Sequence, residues 1–277
     1  MSAQTTHECG FVAPTYSQQQ MNAPTPPTPR PPILVFTRVV VPIVVHCITP
    51  TVLNSTQQSD FRKRVAEQLE TLNNDFAGVN TTFTNALSNN ILPNSFKDAN
   101  YSNDTKIQFC LATKDQQGNP FSGILFLQSA TTTFDANNHT LLANISMAWN
   151  RDKFMNLYIV PNLIRNDLLS GYAFPPSASL SNYDAIVVKD AVLGKNEVTL
   201  THEVGHWLGL LHTWGNDIGS CADDDDISDT PKQYESTLNQ LGLTIPYTDI
   251  CTATGDGIMF MNFMNFMNYY NNIYVFK

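Results

Sequence analysis

The chain predicts an α+β fold, with a cleft between an ordered upper part and an irregular lower part. Three observations lead there. Short β-branched runs recur through the first two thirds of the sequence, as strands do. Two helical patterns sit among them, one long and amphipathic, the other holding three of the chain's six histidines. Beyond His212 the periodicity lapses into Asp, Gly and Thr, which marks looped structure.

The elements follow in order. Residues 1–32 are rich in Pro, Gln and Thr and end in PTPPTPRPP. They read as an extended, disordered leader or pro-segment that cannot bury a core. Val39 to Ile48 is a β-branched run, read as a buried strand despite Pro42 and His46. Ser59 is placed to cap a helix from about Asp60 to Ala77. Its apolar residues Phe61, Val65, Leu69, Leu72 and Phe76 recur at three and four, which makes one buried stripe. Residues 78–105 read as loop. Ile107 to Ala112 is a second strand, followed by a turn at DQQGNP. Gly123 to Gln128, Leu157 to Val160 and Ala185 to Val188 are further strands. The histidine-bearing helix is expected from near Glu197 to about Leu208. Residues 33–214 then form the upper subdomain and residues 215–277 the lower one.

Composition narrows the function. The chain has 277 residues, 42 % of them hydrophobic, enough for a sizeable core. Charged residues are only 14 %, against about 25 % in an average globular protein. The net charge of −9 argues against a nucleic-acid partner. No stretch is long and apolar enough to span a membrane. The first twenty residues lack the basic and apolar regions of a standard secretory signal. The five cysteines cannot all pair within one chain. Cys47 and Cys110 lie in apolar runs and read as buried thiols. Cys221 and Cys251 flank the polar lower loop. A disulfide between them would staple that region in an oxidising compartment; in a reducing one they would stay free.

The window from residue 202 to 212 reads HEVGHWLGLLH. His202 and His206 are four apart, so a helix projects both from one face. Gly209 lets the chain leave the helix sharply and swing His212 back toward them. Three neutral imidazoles with a fourth position open form the ligand set of a catalytic zinc. HExxH alone arises often by chance; HExxHxxGxxH is far more restrictive. Glu203 stands beside a ligand without sharing its metal. It is placed to take a proton from a zinc-activated water and pass it to a leaving amine. Hydrolysis of peptide bonds in a polypeptide substrate is the reaction this predicts.

The extended motif, followed by Asn265-Phe266-Met267-Asn268-Tyr269, resembles the metzincin metallopeptidases. The Met-x-Tyr form is similar to the pappalysin-like (cytophagalysin) family. Further likenesses run through the chain: VVVPIVVHCI, LNNDFAG (Leu72 to Gly78), IQFCLATKDQQGNPFSGI (Ile107 to Ile124), WNRDKFMNLYIV (Trp149 to Val160), GYAFP, DAIVV and DISDTP. Together they cover roughly residues 33–270.

The resemblance implies a zincin fold, in which a mixed twisted sheet and an active-site helix stand above the irregular lower subdomain. It implies that Met267 forms a hydrophobic floor under the metal and that Tyr269 helps stabilise the reacting centre. A substrate polypeptide would lie extended along an edge strand near Gly171 to Phe174. Calcium would bind in the lower part, where Asp225, Asp226 and Asp229 offer hard oxygens; an unbound, solvated loop is the alternative. Cys9-Gly10 is similar to a propeptide cysteine that caps the zinc of a zymogen, although a leader cysteine without a role is the plainer reading. Secretion is implied in the same way. YNNIYVFK stands where relatives have a closing helix, so the lower subdomain is expected to be loosely closed. The competing class is a catalytically inactive protein, binding or structural, that keeps zinc for stability.

Overall fold

Alternation of apolar residues along β-branched runs builds a sheet with two buried faces, and the helices divide between them. The computed structural model describes residues 38–81, 104–164, 169–174, 184–215, 221–227, 232–234, 251 and 266–267. Among these, β1 is Val39–Thr49, α1 Ser55–Phe76, β2 Ile107–Leu111, β3 Ile124–Gln128 and β4 Phe134–Asp135. There follow α2 (Thr140–Ile145), β5 (Met155–Val160), β6 (Leu163–Ile164), β7 (Gly171–Ala173), β8 (Ile186–Lys189), a 3-10 turn at Asp190–Val192, and α3 (Thr199–Trp207).

The main sheet runs β2-β1-β5-β8-β7, with β3 also paired to β1. All these pairings are parallel except that of β7 with β8, so the sheet is mixed. β1 is long enough to pair β2 with its first half and β3 with its second. Its pairing with β5 starts only at Ile43. Pro42 therefore lies outside that ladder, where its missing N–H leaves no partner unsatisfied.

One face of the sheet, carrying Val45, Leu157, Ile159, Ile186 and Val188, packs on α1 and α3. The expected stripe of α1, Phe61 to Phe76, lies in this core. The other face, with Ile48, Tyr158, Val160 and Val187, covers a second core built with Phe134, Leu142 and Leu163. The small β4–β6 sheet and α2 beneath it are too short to leave a periodic signal in the sequence.

Several boundaries differ from expectation, each for a local reason. α1 starts at Ser55, not near Asp60. Asn54 accepts a hydrogen bond from the Gln57 N–H while the Gln57 side chain accepts from the Asn54 N–H. This capping box satisfies two orphan donors and outcompetes Ser59. At the other end the Asn73 side chain donates to the Phe109 carbonyl at 2.9 Å and accepts from the Phe109 N–H at 2.8 Å. It substitutes for a neighbouring strand beside β2. Cys47 is a buried thiol as expected. Cys110 is not: it is disulfide-bonded, and it lies on β2, where its side chain is only partly covered.

His46 is fully buried in β1 and neutral. Its Nδ1 lies 2.8 Å from Ser146 Oγ, its Nε2 lies 3.2 Å from Asn156 Oδ1, and its ring stacks on Tyr158. Burial pushes its pKa from 6.5 to about 4, and the Asn156 hydrogen bond offsets part of that shift. The unfolded chain therefore binds a proton here that the folded chain refuses. Stability from this residue is complete above pH 6.5 and is lost as the pH falls through about 4. We expect His46→Gln to remove about 3 kcal/mol of acid destabilisation. Urea unfolding of the metal-free chain at pH 7 and at pH 4 measures this; an equal loss in both proteins would refute it.

Candidate active site

The site is built on α3, which packs against β7 and β8. α3 ends as glycine dictates. The Gly209 N–H donates to the His206 carbonyl and the Leu210 N–H to the Gly205 carbonyl, with Gly209 at φ +97°. This is a Schellman closure, open to glycine because no Cβ resists positive φ. The chain reverses there, and His212 returns to the helix face that carries His202 and His206.

The three imidazoles converge. His206 Nε2 lies 3.1 Å from His202 Nε2 and 3.1 Å from His212 Nε2. Among the described residues, these three are the only group whose ligand atoms lie close enough together to hold an ion. Their other nitrogens explain the tautomers. His202 Nδ1 donates to the Phe266 carbonyl at 2.6 Å and His206 Nδ1 to the Leu210 carbonyl at 2.8 Å. With Nδ1 carrying the proton, Nε2 presents a lone pair. Burial also holds the rings neutral, pushing His202 to about 3 and His212 to about 2 and lowering His206. Lone pairs 3.1 Å apart repel unless a cation stands between them. Tetrahedral zinc at about 2.0–2.1 Å from each nitrogen sets neighbouring ligands about 3.3 Å apart. The donor set fits such an ion.

Glu203 is buried, and burial alone raises its pKa to about 8. It faces β7: a Cβ added at Gly171 would stand 3.1 Å from Glu203 Cγ and 3.0 Å from Val188 Cγ1. Glycine is what lets the edge strand approach the glutamate this closely.

Sequence reasoning missed several supports. Trp214 stacks on His212 with ring centroids 4.5 Å apart. The Trp207 indole donates to Asp184 Oδ1 at 2.6 Å, pinning the end of α3 to the start of β8. Thr213 bonds Gln233 in the interior. The Phe266 carbonyl is a backbone group and carries no sequence signal. Its neighbour Met267 is buried in the core cluster that holds Leu200 and Val204.

The remaining expected residues are placed less fully. Tyr269, Asp229 and Cys9 lie outside the described residues. Asp225 is buried and its Oδ1 accepts from the Ile227 N–H, while Asp226 is exposed. Neither joins a group able to hold an ion among the described residues. The neighbouring Asp224 pairs instead with Lys232 at 3.1 Å. Cys221 and Cys251 form a disulfide across 30 residues of the lower loop.

A mixed sheet with one antiparallel edge, and a helix closed by a glycine turn that gathers three histidines, define the class: a metzincin-type metallopeptidase. A family model described as pregnancy-associated plasma protein-A matches residues 139–276. Mature mirolysin of Tannerella forsythia, solved in complex with a cleaved peptide, superposes with a TM-score of 0.69 at 30 % identity, covering 87 % of this chain and 88 % of that one. The chain belongs to the pregnancy-associated plasma protein-A family of peptidases. An extracellular metalloprotease of Arthroderma otae is 34 % identical over 149 residues, 48 % of this chain and 54 % of that protein. Another, of Arthroderma benhamiae, is 28 % identical over 60 % of this chain and 63 % of its own. The match thus spans from 30 % to 63 % of the length of the curated relatives, less than two thirds of each.

Proposed function

We propose that the chain is a zinc-dependent endopeptidase, with His202, His206 and His212 as metal ligands and Glu203 as the proton carrier. The observation that carries this reading is the convergence of three partly buried Nε2 atoms, with the Nδ1 protons of His202 and His206 already engaged by backbone carbonyls. Zinc, when bound, supplies a Lewis acid and lowers the pKa of water toward 7.

The chain's own groups supply the rest. A dication nearby favours the carboxylate of Glu203 over the acid that burial alone would hold. Glu203 then accepts the water proton as the oxygen bonds to the scissile carbonyl carbon. It returns that proton to the amide nitrogen as the C–N bond breaks, so it ends as it began. β7 pairs β8 through one edge and can offer its other edge to an extended polypeptide. Such main-chain pairing sets orientation without demanding a particular sequence. Tyr269 would stabilise charge at the carbonyl oxygen, and Met267 would underlie the metal. Residues 33–214 and 215–277 would form the two sides of the cleft. The relatives' names and the Cys221–Cys251 bridge both support an oxidising, extracellular setting.

Metal analysis combined with cleavage of a casein-like substrate tests the proposal. About one zinc per chain with cleavage is the expected outcome. A chain that keeps zinc and cleaves nothing points to the inactive, zinc-stabilised alternative. Gly171→Ala is expected to lower kcat by roughly tenfold to a hundredfold with a smaller effect on KM, because the new Cβ displaces Glu203. Unchanged kcat would mean that the strand yields without moving the glutamate.

A further inference from the structure

α1 carries a second stripe, and it is polar. Gln68, Thr71 and Asp75 are spaced by three and four, so they share one helix face. All three are buried, Gln68 and Asp75 almost completely. Each is bonded to the segment that leads into or begins α3. Gln68 Nε2 donates to the Glu197 carbonyl at 2.8 Å, and Gln68 Oε1 accepts from the Gly194 N–H at 3.1 Å. Thr71 Oγ1 accepts from the Asn196 N–H at 3.0 Å. Asp75 Oδ2 accepts from the Thr201 hydroxyl at 2.6 Å, and Thr201 immediately precedes His202.

α3 needs such help. Its N-cap residue, Val198, makes no side-chain cap hydrogen bond. Asn196, two residues earlier, is held at φ +64°. The amino end of α3 is therefore fixed from α1 rather than from its own sequence. Apolar side chains would bury α1 against α3 without the desolvation cost of an amide, a hydroxyl and a carboxyl. Apolar packing is non-directional, however, and tolerates small slides along the helix axis. Hydrogen bonds at fixed positions do not.

We propose that Gln68, Thr71 and Asp75 are positioning residues that set the register of α3, and through it the placement of His202, His206 and Glu203 relative to His212, the Phe266 carbonyl and β7. This inference rests on the metal-site reading above. Asp184, which holds Trp207, fixes the opposite end of the same helix.

The test uses the full chain loaded with cobalt(II), whose visible absorption reports ligand geometry, together with chelator competition for metal affinity and thermal unfolding of the metal-free protein. Thr201→Val and Gln68→Met are expected to weaken cobalt binding by tenfold or more and to alter the visible bands. Asp75→Leu should behave as they do. Asp75→Asn, which keeps an acceptor for Thr201, should stay within threefold of the unsubstituted chain. Val160→Ala, in the core on the far face of the sheet, should lower the unfolding temperature and leave the cobalt spectrum unchanged.

If Thr201→Val and Gln68→Met bind cobalt with unchanged affinity and spectrum, the stripe is packing alone and the proposal is overturned. The same holds if Asp75→Asn fails as badly as Asp75→Leu. Should one substitution prevent folding, the other two sites carry the test. An unsubstituted chain that takes up no cobalt overturns the metal-site reading itself, a result distinct from variants that bind as it does.

Discussion

Glu203→Ala is expected to lower kcat for peptide hydrolysis by about a thousandfold while metal content stays at the unsubstituted level. The carboxyl is not among the three converging nitrogens, so its loss leaves the donor set intact. It is buried against β7 with Gly171 at its side, and so shielded from bulk water. Alanine removes the only carboxyl that the HExxH spacing places beside the triad. Measurement of kcat on a casein-like substrate, with zinc quantified in the same preparation, decides the matter. Equal rates in the two proteins would sink the catalytic role of Glu203 and with it the proposed mechanism.

Stripping the metal is expected to abolish cleavage and to destabilise the fold together. The three Nε2 atoms lie too close to coexist comfortably as bare lone pairs, and burial prevents the rings from relieving this by taking up protons. A ligand bound only by the folded chain stabilises it by about 4 kcal/mol at a thousandfold excess over its Kd. Chelation should therefore lower the unfolding temperature, and added zinc should restore both it and activity. His206→Ala should mimic chelation and resist rescue by zinc, since the central nitrogen of the triad is gone. A chelated protein that unfolds at the same temperature and still cleaves would show that the triad holds no functional ion.

The legible part of the fold was periodic or punctuated. The apolar stripe of α1 was readable because helical spacing repeats over many turns. β1 was readable because β-branched residues accumulate there. The return of His212 was readable because a glycine three residues after His206 permits a specific turn, and the structure contains that turn. The edge position of Gly171–Ala173 followed from family likeness rather than from composition, and β7 does stand at the sheet's edge.

What stayed hidden was pairwise. Gln68, Thr71 and Asp75 look like ordinary polar positions of a surface helix; only their burial against the 194–201 segment reveals a clasp. The expected start of α3 near Glu197 lies ahead of the observed one: the Glu197 carbonyl is committed to Gln68 and the helix begins at Thr199. Cys110 resembled Cys47 in its apolar run, but bonding depends on what approaches a strand, which hydropathy does not record.

By itself the sequence determined the class of chemistry: HExxHxxGxxH specifies which side chains share a helix face and where the backbone can reverse, since both are local geometry. It also determined an α+β chain, through the period of its apolar residues. Only the tertiary structure decided what holds that chemistry in place. The Phe266 carbonyl on His202 and the α1 clasp on Thr201 join residues far apart in the chain, while the Trp214 ring on His212 and Asp184 on Trp207 depend on how nearer segments fold back on the site. Such contacts depend on how the sheet and helices close on one another, and no local pattern encodes a partner brought in by the fold.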